Sequence, residues 1–141
     1  MDWITHTIGI GNYVDARNAD LRRAEGIRSI ICLDAELADP KESDLDLDAI
    51  ELYGLLDGPG NDPEIFRRAV KMVGELARDC PKLLVHCRAG RSRSVVVVAG
   101  HLMQANGWVS QQAIDYIAGR REIALTPGIV GLLRAPWLRG G

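Results

Sequence analysis

Residues 83–98, "LLVHCRAGRSRSVVVV", place a cysteine and three arginines between two apolar runs. An ionised cysteine is a nucleophile, and an arginine offers a planar pair of donors that matches two oxygens of a phosphate. Charged residues and a glycine between buried elements cost stability through desolvation, so a functional reason for them is sought first. We therefore take Cys87 and Arg93 as the candidate reactive pair.

The elements that flank this stretch would position it at the edge of a sheet. The apolar runs predict a strand that ends at His86 and a helix that begins near Ser92. The loop 87–93 would then join the carboxyl end of a strand to the amino end of a helix, where α/β sheets bind anions. Small Ala89 and Gly90 let the backbone curl so that successive N–H groups point inward. The same field favours the thiolate form of the cysteine, which predicts phosphoryl transfer through a cysteinyl-phosphate.

The rest of the chain predicts strands that alternate with helices. Strands are predicted in "WITHTIGIG" (one or two short edge strands), "IRSIICL", "AIELYGLL" and "KLLVH". Helices are predicted in "DARNADLRRAEG", in "PEIFRRAVKMVGELARD", from about Ser92 to Asn106, in "SQQAIDYIAGRR" and from Pro127. The first of them has Asp15 or Asn18 as a possible cap and Gly26 as its end. This alternation predicts an α/β fold in three layers, with a central, mainly parallel sheet flanked by helices. We expect a single domain over residues 1–141, because no repeat or long linker interrupts the pattern.

Composition excludes several classes of function. The 141 residues are 47% hydrophobic and 26% charged, which is typical of a globular domain. A net charge of −2 provides no basic field for nucleic acid. The three cysteines form no CxxC pair, which argues against a disulfide framework or a zinc site and favours a reducing compartment. We expect a cytoplasmic monomer without a cofactor, a bound metal or a transmembrane segment.

The stretch from His86 to Ser94, "HCRAGRSRS", resembles the HCxxGxxRS signature of the protein tyrosine phosphatase superfamily. Within that superfamily the short chain resembles the dual-specificity phosphatases. "IGNYVDARNADLRRAEGIRSIICL" is similar to the opening strand, helix and strand of those enzymes, and "AIDYIAGRREIALTPG" to their closing helix and arginine turn. The resemblance implies a phosphoric monoester hydrolase that acts on phosphotyrosine and on phosphoserine or phosphothreonine.

Residue roles follow from this resemblance. It implies that Cys87 is the nucleophile, that Arg93 clamps the transition state and that Ser94 steadies the departing thiolate. His86 would orient the loop, because side chains of consecutive strand residues point to opposite faces. The residues expected to bind the substrate phosphate are Arg88, Ala89, Gly90, Arg91, Ser92 and Arg93.

The reaction also needs a proton for the departing oxygen. The resemblance implies an aspartate on a loop upstream of the cysteine, and Asp57 fits because it follows an apolar strand and opens the turn "DGPGND". Asp62 is the rival, although a helix-capping role before Pro63 already explains it. The other aspartates of interest are expected to form a solvated loop: Asp34, Asp44, Asp46 and Asp48.

Arg88 and Arg91 bear on the substrate, and two interpretations stay open. Basic residues at these positions resemble the lipid- and inositol-phosphate phosphatases, especially those specific for phosphatidylglycerophosphate, and would favour an anionic phospholipid or inositol phosphate. Alternatively, both arginines point outward and pair with surface carboxylates. A rhodanese-type sulfurtransferase and a non-catalytic phosphate-binding module are more distant alternatives to a phosphatase.

Cys32 is the remaining candidate site residue. The pattern places it at the end of the predicted strand "IRSIIC", near the same sheet edge as the loop of Cys87. Its position resembles that of a second cysteine with which some members of the superfamily protect the oxidised nucleophile as a disulfide. The simpler alternative is a small apolar core residue.

Overall fold

A computed structural model of the chain describes residues 1–37 and 47–138. Five strands form its sheet: β1 Asp2–Trp3, β2 Ile8–Gly11, β3 Ser29–Cys32, β4 Ala49–Leu52 and β5 Leu83–His86. The α-helices within these ranges are α1 Tyr13–Arg17, α2 Ala19–Glu25, α3 Pro63–Asp79, α4 Arg93–Asn106 and α5 Ser110–Ala118. Short 3₁₀ helices cover Ala35–Leu37, Ile129–Arg134 and Pro136–Leu138.

The sheet has the strand order β1-β2-β5-β3-β4. β1 runs antiparallel to β2, and the other pairs are parallel. The central strand β5 pairs with β2 and β3, and its last residue His86 lies opposite both Gly11 and Cys32. The carboxyl ends of three parallel strands therefore meet at one edge. The mainly parallel sheet flanked by helices confirms the predicted fold class.

Side chains of the two central strands alternate between the faces of the sheet, as the pleat requires. Ile31 and Val85 belong to the larger core, together with residues of α3, α4 and α5. Ile30 and Leu84 pack on the opposite side with Ala16 of α1. The three layers are thus α3–α5, the sheet, and α1 with α2.

Helix α4 is buried almost throughout its length. Val95–Val98 have no exposed surface, because the helix contacts α3, α5 and strands of the sheet. A helix that is apolar on all sides is stable only in such a central position. This explains the run of valines after the polar loop, and it fixes the amino end of α4 directly below that loop.

Two local predictions are wrong. "DARNADLRRAEG" was expected to form one helix, but Asn18 divides it into α1 and α2; Asn18 as a cap and Gly26 as the end of the helix are confirmed for α2. The Asn18 side chain accepts a hydrogen bond from the Leu21 N–H at 3.1 Å, while its own N–H donates to the Asp15 carbonyl at 3.2 Å. The same residue therefore ends one helix and caps the next. β2 was expected at an edge and instead lies inside the sheet, between β1 and β5.

The predicted acidic loop lies only partly within the described residues. Asp44 and Asp46 lie outside the described residues, whereas Asp48 forms two hydrogen bonds with the Arg28 guanidinium at 2.7 and 3.1 Å. Among the helices of the described ranges, none combines the length and the apolar character needed to cross a bilayer.

Candidate active site

The loop between β5 and α4 brings Cys87 and Ser94 together. Cys87 follows the last residue of β5 and is 2% exposed, and Ser94 lies in the first turn of α4 without exposed surface. The Cys87 Sγ lies 3.4 Å from the Ser94 Oγ. A hydroxyl at this distance can donate a hydrogen bond to a thiolate. The structure thus joins two of the predicted site residues.

Four consecutive carbonyl groups of the loop, from residues 88 to 91, accept hydrogen bonds from outside it. The donors are the Tyr13 N–H to Arg88 (3.3 Å), Arg121 Nη2 to Ala89 (3.5 Å), Arg121 Nε to Gly90 (2.6 Å) and the Ala124 N–H to Arg91 (3.0 Å). Within the described part of the chain, nothing accepts a hydrogen bond from the backbone N–H groups of residues 88–92. The carbonyls are therefore turned outward, which leaves the N–H groups for a bound anion.

Gly90 is required at the sharpest point of this loop. Its φ is +70°, a left-handed conformation that side chains oppose. A β-carbon there would also overlap the backbone carbonyl of Gly11 at the end of β2. The close contact between the loop and β2 thus depends on glycine, and the left-handed φ agrees with the expectation that Gly90 lets the backbone curl.

Arg93 is mostly buried, and its guanidinium is held from two sides. Nη1 donates to the Leu55 carbonyl at 3.2 Å and Nη2 donates to the Asp34 carboxylate at 3.2 Å. Nε is buried and has no hydrogen-bond partner within the described residues. Because each Nη carries a second N–H, this arginine keeps several donors with which to bind an anion, directly after the loop whose backbone N–H groups have no protein acceptor among the residues that the structure describes.

The prediction of a solvated Asp34 is wrong. Its side chain follows β3 at the same sheet edge as the loop, and the residue is only 5% exposed. Its carboxylate accepts hydrogen bonds from Arg93 and, at 3.3 Å, from Arg88 Nε. Burial raises the pKa of Asp34, but the backbone N–H of Glu36 and the two guanidinium groups outweigh it and hold the pKa below its usual value.

His86 lies on the opposite side of the strand from Cys87, as predicted. It is 5% exposed, and its Nδ1 lies 3.3 Å from the Cys87 carbonyl oxygen. Burial lowers the pKa of His86 below its usual value, although the contact with the Cys87 carbonyl opposes this. The imidazole is therefore a neutral group packed beneath the loop.

The guanidinium groups of Arg88 and Arg91 are half-exposed and pair with carboxylates. Arg88 contacts Asp34 and, at 3.2 Å, Glu36. Arg91 Nη2 lies 3.8 Å from Glu122 Oε2. This arrangement agrees with the interpretation in which both arginines pair with acidic side chains. Ser92 likewise uses its hydroxyl elsewhere, accepting from the Thr126 N–H at 3.0 Å.

Asp57 lines an open cleft of about 280 Å³ in which Arg93 and Asp34 also lie. The Asn61 side chain fixes the loop that carries Asp57, since it bonds the backbone of Leu56 (2.7 and 2.9 Å) and Gly58 (3.1 Å). Asp62, the rival, does not line this cleft. Instead it accepts the Glu64 N–H at 2.9 Å and caps α3 as predicted. The geometry thus favours Asp57 over Asp62.

Cys32 is buried at the end of β3, and its Sγ donates to the Asp34 carbonyl at 3.2 Å. Burial raises the pKa of the Cys32 thiol, and the nearby charges of Asp34 and Cys87 act in the same direction. The cysteines of the chain are free thiols in this structure. Over the described ranges, no group of three or more His, Cys, Asp or Glu side chains is placed to hold a metal ion.

Sequence reasoning missed Arg121, which supports the loop from outside. Its side chain is 10% exposed and reaches the Gly90 carbonyl with Nε and the Asp2 carboxylate with Nη1 at 2.7 Å. Asp2 belongs to β1 and Arg121 follows α5, so the two meet only after folding. The resemblance of "AIDYIAGRREIALTPG" to an arginine turn was the available signal, but it named no partner.

Comparison with known proteins identifies the class. Residues 12–134 match the family described as the catalytic domain of dual specificity phosphatases. The chain is 28% identical over 127 residues to dual specificity protein phosphatase 1B of Arabidopsis thaliana, covering 89% of this chain and 74% of that protein. The chain therefore belongs to the dual-specificity phosphatase family, which confirms the enzyme class expected from its signature.

Two further similarities extend this result. Over 51 residues the chain is 43% identical to phosphatidylglycerophosphatase and protein-tyrosine phosphatase 1 of Rattus norvegicus, covering 36% of this chain and 26% of that protein. The crystal structure of the human tyrosine phosphatase-like serine/threonine/tyrosine-interacting protein has a TM-score of 0.82 at 25% identity. That match covers 95% of this chain and 93% of the solved one, so the fold is shared throughout.

Replacing Arg121 tests the support of the loop. We expect Arg121→Met to lower kcat/KM by about 10²-fold, because loop carbonyls released from Arg121 can rotate and misplace the N–H groups, and a misplacement of about 1 Å can cost that much. The measurement is hydrolysis of a chromogenic phosphomonoester, with thermal unfolding followed in parallel. The matched control is Arg120→Met, because Arg120 is exposed and stacks 3.4 Å above the Tyr116 ring. Equal losses in the two variants would contradict the assignment.

Proposed function

We propose that this protein hydrolyses phosphomonoesters through a cysteinyl-phosphate intermediate on Cys87, with phosphoproteins as its substrates. The observation that carries the proposal is the loop itself, in which the four outward carbonyls of residues 88–91 leave the N–H groups of residues 89–92 without acceptors in the described protein, in the loop that follows the Cys87 thiol. Arg93, directly after this loop, supplies guanidinium N–H groups beyond those bonded to Asp34 and Leu55. Such preorganised donors stabilise the charge of a transferring phosphoryl group.

In the first step the Cys87 thiolate attacks phosphorus. The S–P bond forms as the bond between phosphorus and the leaving oxygen breaks, and the phosphoryl oxygens remain bound to the loop and Arg93. Asp57, in its acid form, donates its proton to the departing alkoxide or phenoxide. The products are a free alcohol or phenol, a cysteinyl-phosphate and an aspartate carboxylate.

In the second step water attacks the cysteinyl-phosphate. The carboxylate of Asp57 accepts a proton from this water, a P–O bond forms and the S–P bond breaks. Ser94 donates a hydrogen bond to the thiolate that leaves, which the contact of 3.4 Å between the two side chains supports. Inorganic phosphate is released, and the thiolate and the protonated acid are restored.

The same proposal extends to the substrate. We favour phosphotyrosine and phosphoserine or phosphothreonine side chains of proteins as the groups that are hydrolysed. The enzyme is proposed to be a monomer located in the cytoplasm. An anionic phospholipid or inositol phosphate is the alternative, because part of the chain resembles a protein named both phosphatidylglycerophosphatase and protein-tyrosine phosphatase. The pairing of Arg88 with Asp34 and Glu36 favours the phosphoprotein, since it neutralises a charge that a polyanionic substrate would use.

Cys87→Ser is expected to abolish turnover while vanadate and phosphate binding stays measurable. The anion cradle consists of backbone N–H groups and Arg93, so it survives the loss of sulfur. The measurements are phosphotyrosine-peptide hydrolysis and titration calorimetry with orthovanadate. Arg93→Lys should lose activity almost as completely, because an ammonium group does not reproduce the bidentate fork. Turnover close to wild type in Cys87→Ser would exclude the cysteinyl-phosphate mechanism.

Asp57→Asn is expected to lower kcat by about 10²–10⁴-fold, the usual contribution of a general acid. The loss should be smaller for a substrate with a good leaving group, which hardly needs the proton. Asp62→Asn is the matched control, because asparagine also caps helices and the change should affect stability only slightly. A larger rate defect in Asp62→Asn than in Asp57→Asn would reverse the assignment.

We also propose that Cys32 protects the nucleophile during oxidation. Peroxide oxidises the Cys87 thiolate to a sulfenic acid, and the Cys32 thiol condenses with it, releasing water and forming a disulfide. Cys32 ends β3 and lies opposite His86, the residue directly before Cys87. Mild peroxide treatment should give a Cys32–Cys87 link by mass spectrometry, and dithiothreitol should restore activity. If the Cys32→Ser variant recovers as fully as wild type and no link forms, Cys32 is only a core residue.

A further inference from the structure

Asp34 is a buried carboxylate that contacts both Arg88 and Arg93 of the loop. Its Oδ2 accepts from Arg93 Nη2 at 3.2 Å and from Arg88 Nε at 3.3 Å. Its Oδ1 accepts from the Glu36 N–H at 3.0 Å, so both oxygens are occupied. The mechanism proposed above gives this residue no chemical step.

The contacts of Asp34 fix the direction in which the Arg93 guanidinium faces. Nη2 is held by Asp34 and Nη1 by the carbonyl of Leu55, two acceptors that follow β3 and β4. Nε has no partner within the described residues, and Nη1 and Nη2 each carry a second N–H. Two fixed acceptors define the plane of the guanidinium, and the N–H groups that they leave unpaired are then oriented for the oxygens of a phosphate.

Arg88 gives Asp34 a second cation. A buried carboxylate is costly to desolvate unless it is paired, and two guanidinium groups with one backbone N–H compensate that cost. Arg88 donates from Nε to the Asp34 carboxylate at 3.3 Å and from Nη2 to the Glu36 carboxylate at 3.2 Å. Its charge is thereby directed toward these carboxylates.

We propose that Asp34 is a positioning residue that holds Arg93 in the orientation needed to clamp phosphate, and that Arg88 acts through Asp34. The inference rests on the proposed role of Arg93 in binding the phosphoryl group. Arg88 would then help to orient Arg93 through Asp34, and it would not contact a charged part of the substrate directly.

The first experiment measures anion binding to Asp34→Asn without turnover. The asparagine keeps the shape and the acceptor for the Glu36 N–H, but it removes the charge that pairs with the arginines. We expect orthovanadate to bind about 10- to 100-fold more weakly by titration calorimetry, the range expected for one hydrogen bond between charged groups. The affinity for inorganic phosphate should fall by a smaller factor, because vanadate resembles the transition state more closely.

The matched control is Asp48→Asn, which breaks the exposed pair with Arg28 at the amino end of β3. It should leave vanadate affinity unchanged. Thermal unfolding of both variants separates positioning from stability, because a merely structural role lowers the unfolding temperature without changing the affinity of the folded protein. Unchanged or tighter vanadate binding in folded Asp34→Asn would overturn the proposal.

Arg88→Met provides a second test, in which the single variant does not depend on how well Asp34→Asn folds. It should weaken vanadate binding several-fold, although the Arg88 side chain is paired away from the anion cradle. In the double variant with Asp34→Asn, the effect of Arg88→Met should largely disappear, since interacting residues are not additive. Fully additive effects would show that Arg88 acts independently and would overturn its assigned role.

Substrate charge distinguishes the alternatives further. Arg88→Met should lower kcat/KM by the same factor for a phosphotyrosine peptide and for an inositol polyphosphate. A much larger loss for the inositol polyphosphate would indicate a direct contact and contradict the proposal. If the wild type bound vanadate but hydrolysed no phosphomonoester, the proposed function would be refuted. The vanadate affinities of wild type and Asp34→Asn would still decide the role of Asp34. Failure of the wild type to bind either anion would overturn both.

Discussion

The outward orientation of the carbonyl groups of residues 88–91 is the constraint on which the site depends. In a trans peptide the carbonyl and the following N–H point in opposite directions, so each carbonyl held outside leaves an N–H inside. The donors that hold them belong to α1, Arg121 and the segment after α5. The anion cradle therefore exists only when both outer layers of the fold are packed against the sheet. Buried α4 supplies the rigid support beneath it.

Charge is distributed unevenly around the cleft. Among the residues that line it, Arg93 supplies the positive charge, and Asp34, Glu36 and Asp57 supply carboxylates beside Leu55 and other apolar groups. Asp34 links the two kinds of charge because its carboxylate pairs with the Arg93 guanidinium at 3.2 Å. Burial of this pair keeps its interaction from being screened by salt.

Much of the fold follows from local patterns that the sequence displays. The helix Pro63–Asp79 forms over the predicted residues, because Asp62 caps it, Pro63 suits its first turn and apolar residues recur along one face. The strand Leu83–His86 and the helix after it were located because buried runs of this length contrast with the polar loop between them. Asn18 was recognised as a possible cap, but the short helix α1 before it was missed as a separate element, since its five residues are too few to show a helical period. The internal position of β2 was missed because strand order depends on contacts between distant segments.

By itself, the sequence determined the candidate reactive loop: Cys87 and Arg93 at the spacing of the signature, Gly90 at the tight turn and Ser94 in the first turn of α4 all belong to one short stretch. Their proximity is a consequence of local chain geometry, which is why a pattern could reveal it. Only the tertiary structure decided the partners of that loop. Asp34 looked like the first residue of a solvated acidic segment, and its burial beside Arg93 results from the parallel pairing of β3 with β5. Arg121 reaches Asp2 from the opposite end of the chain. Contacts between residues so far apart in sequence leave no periodicity to detect, because they are fixed by the packing of the layers and by the need to pair buried charges.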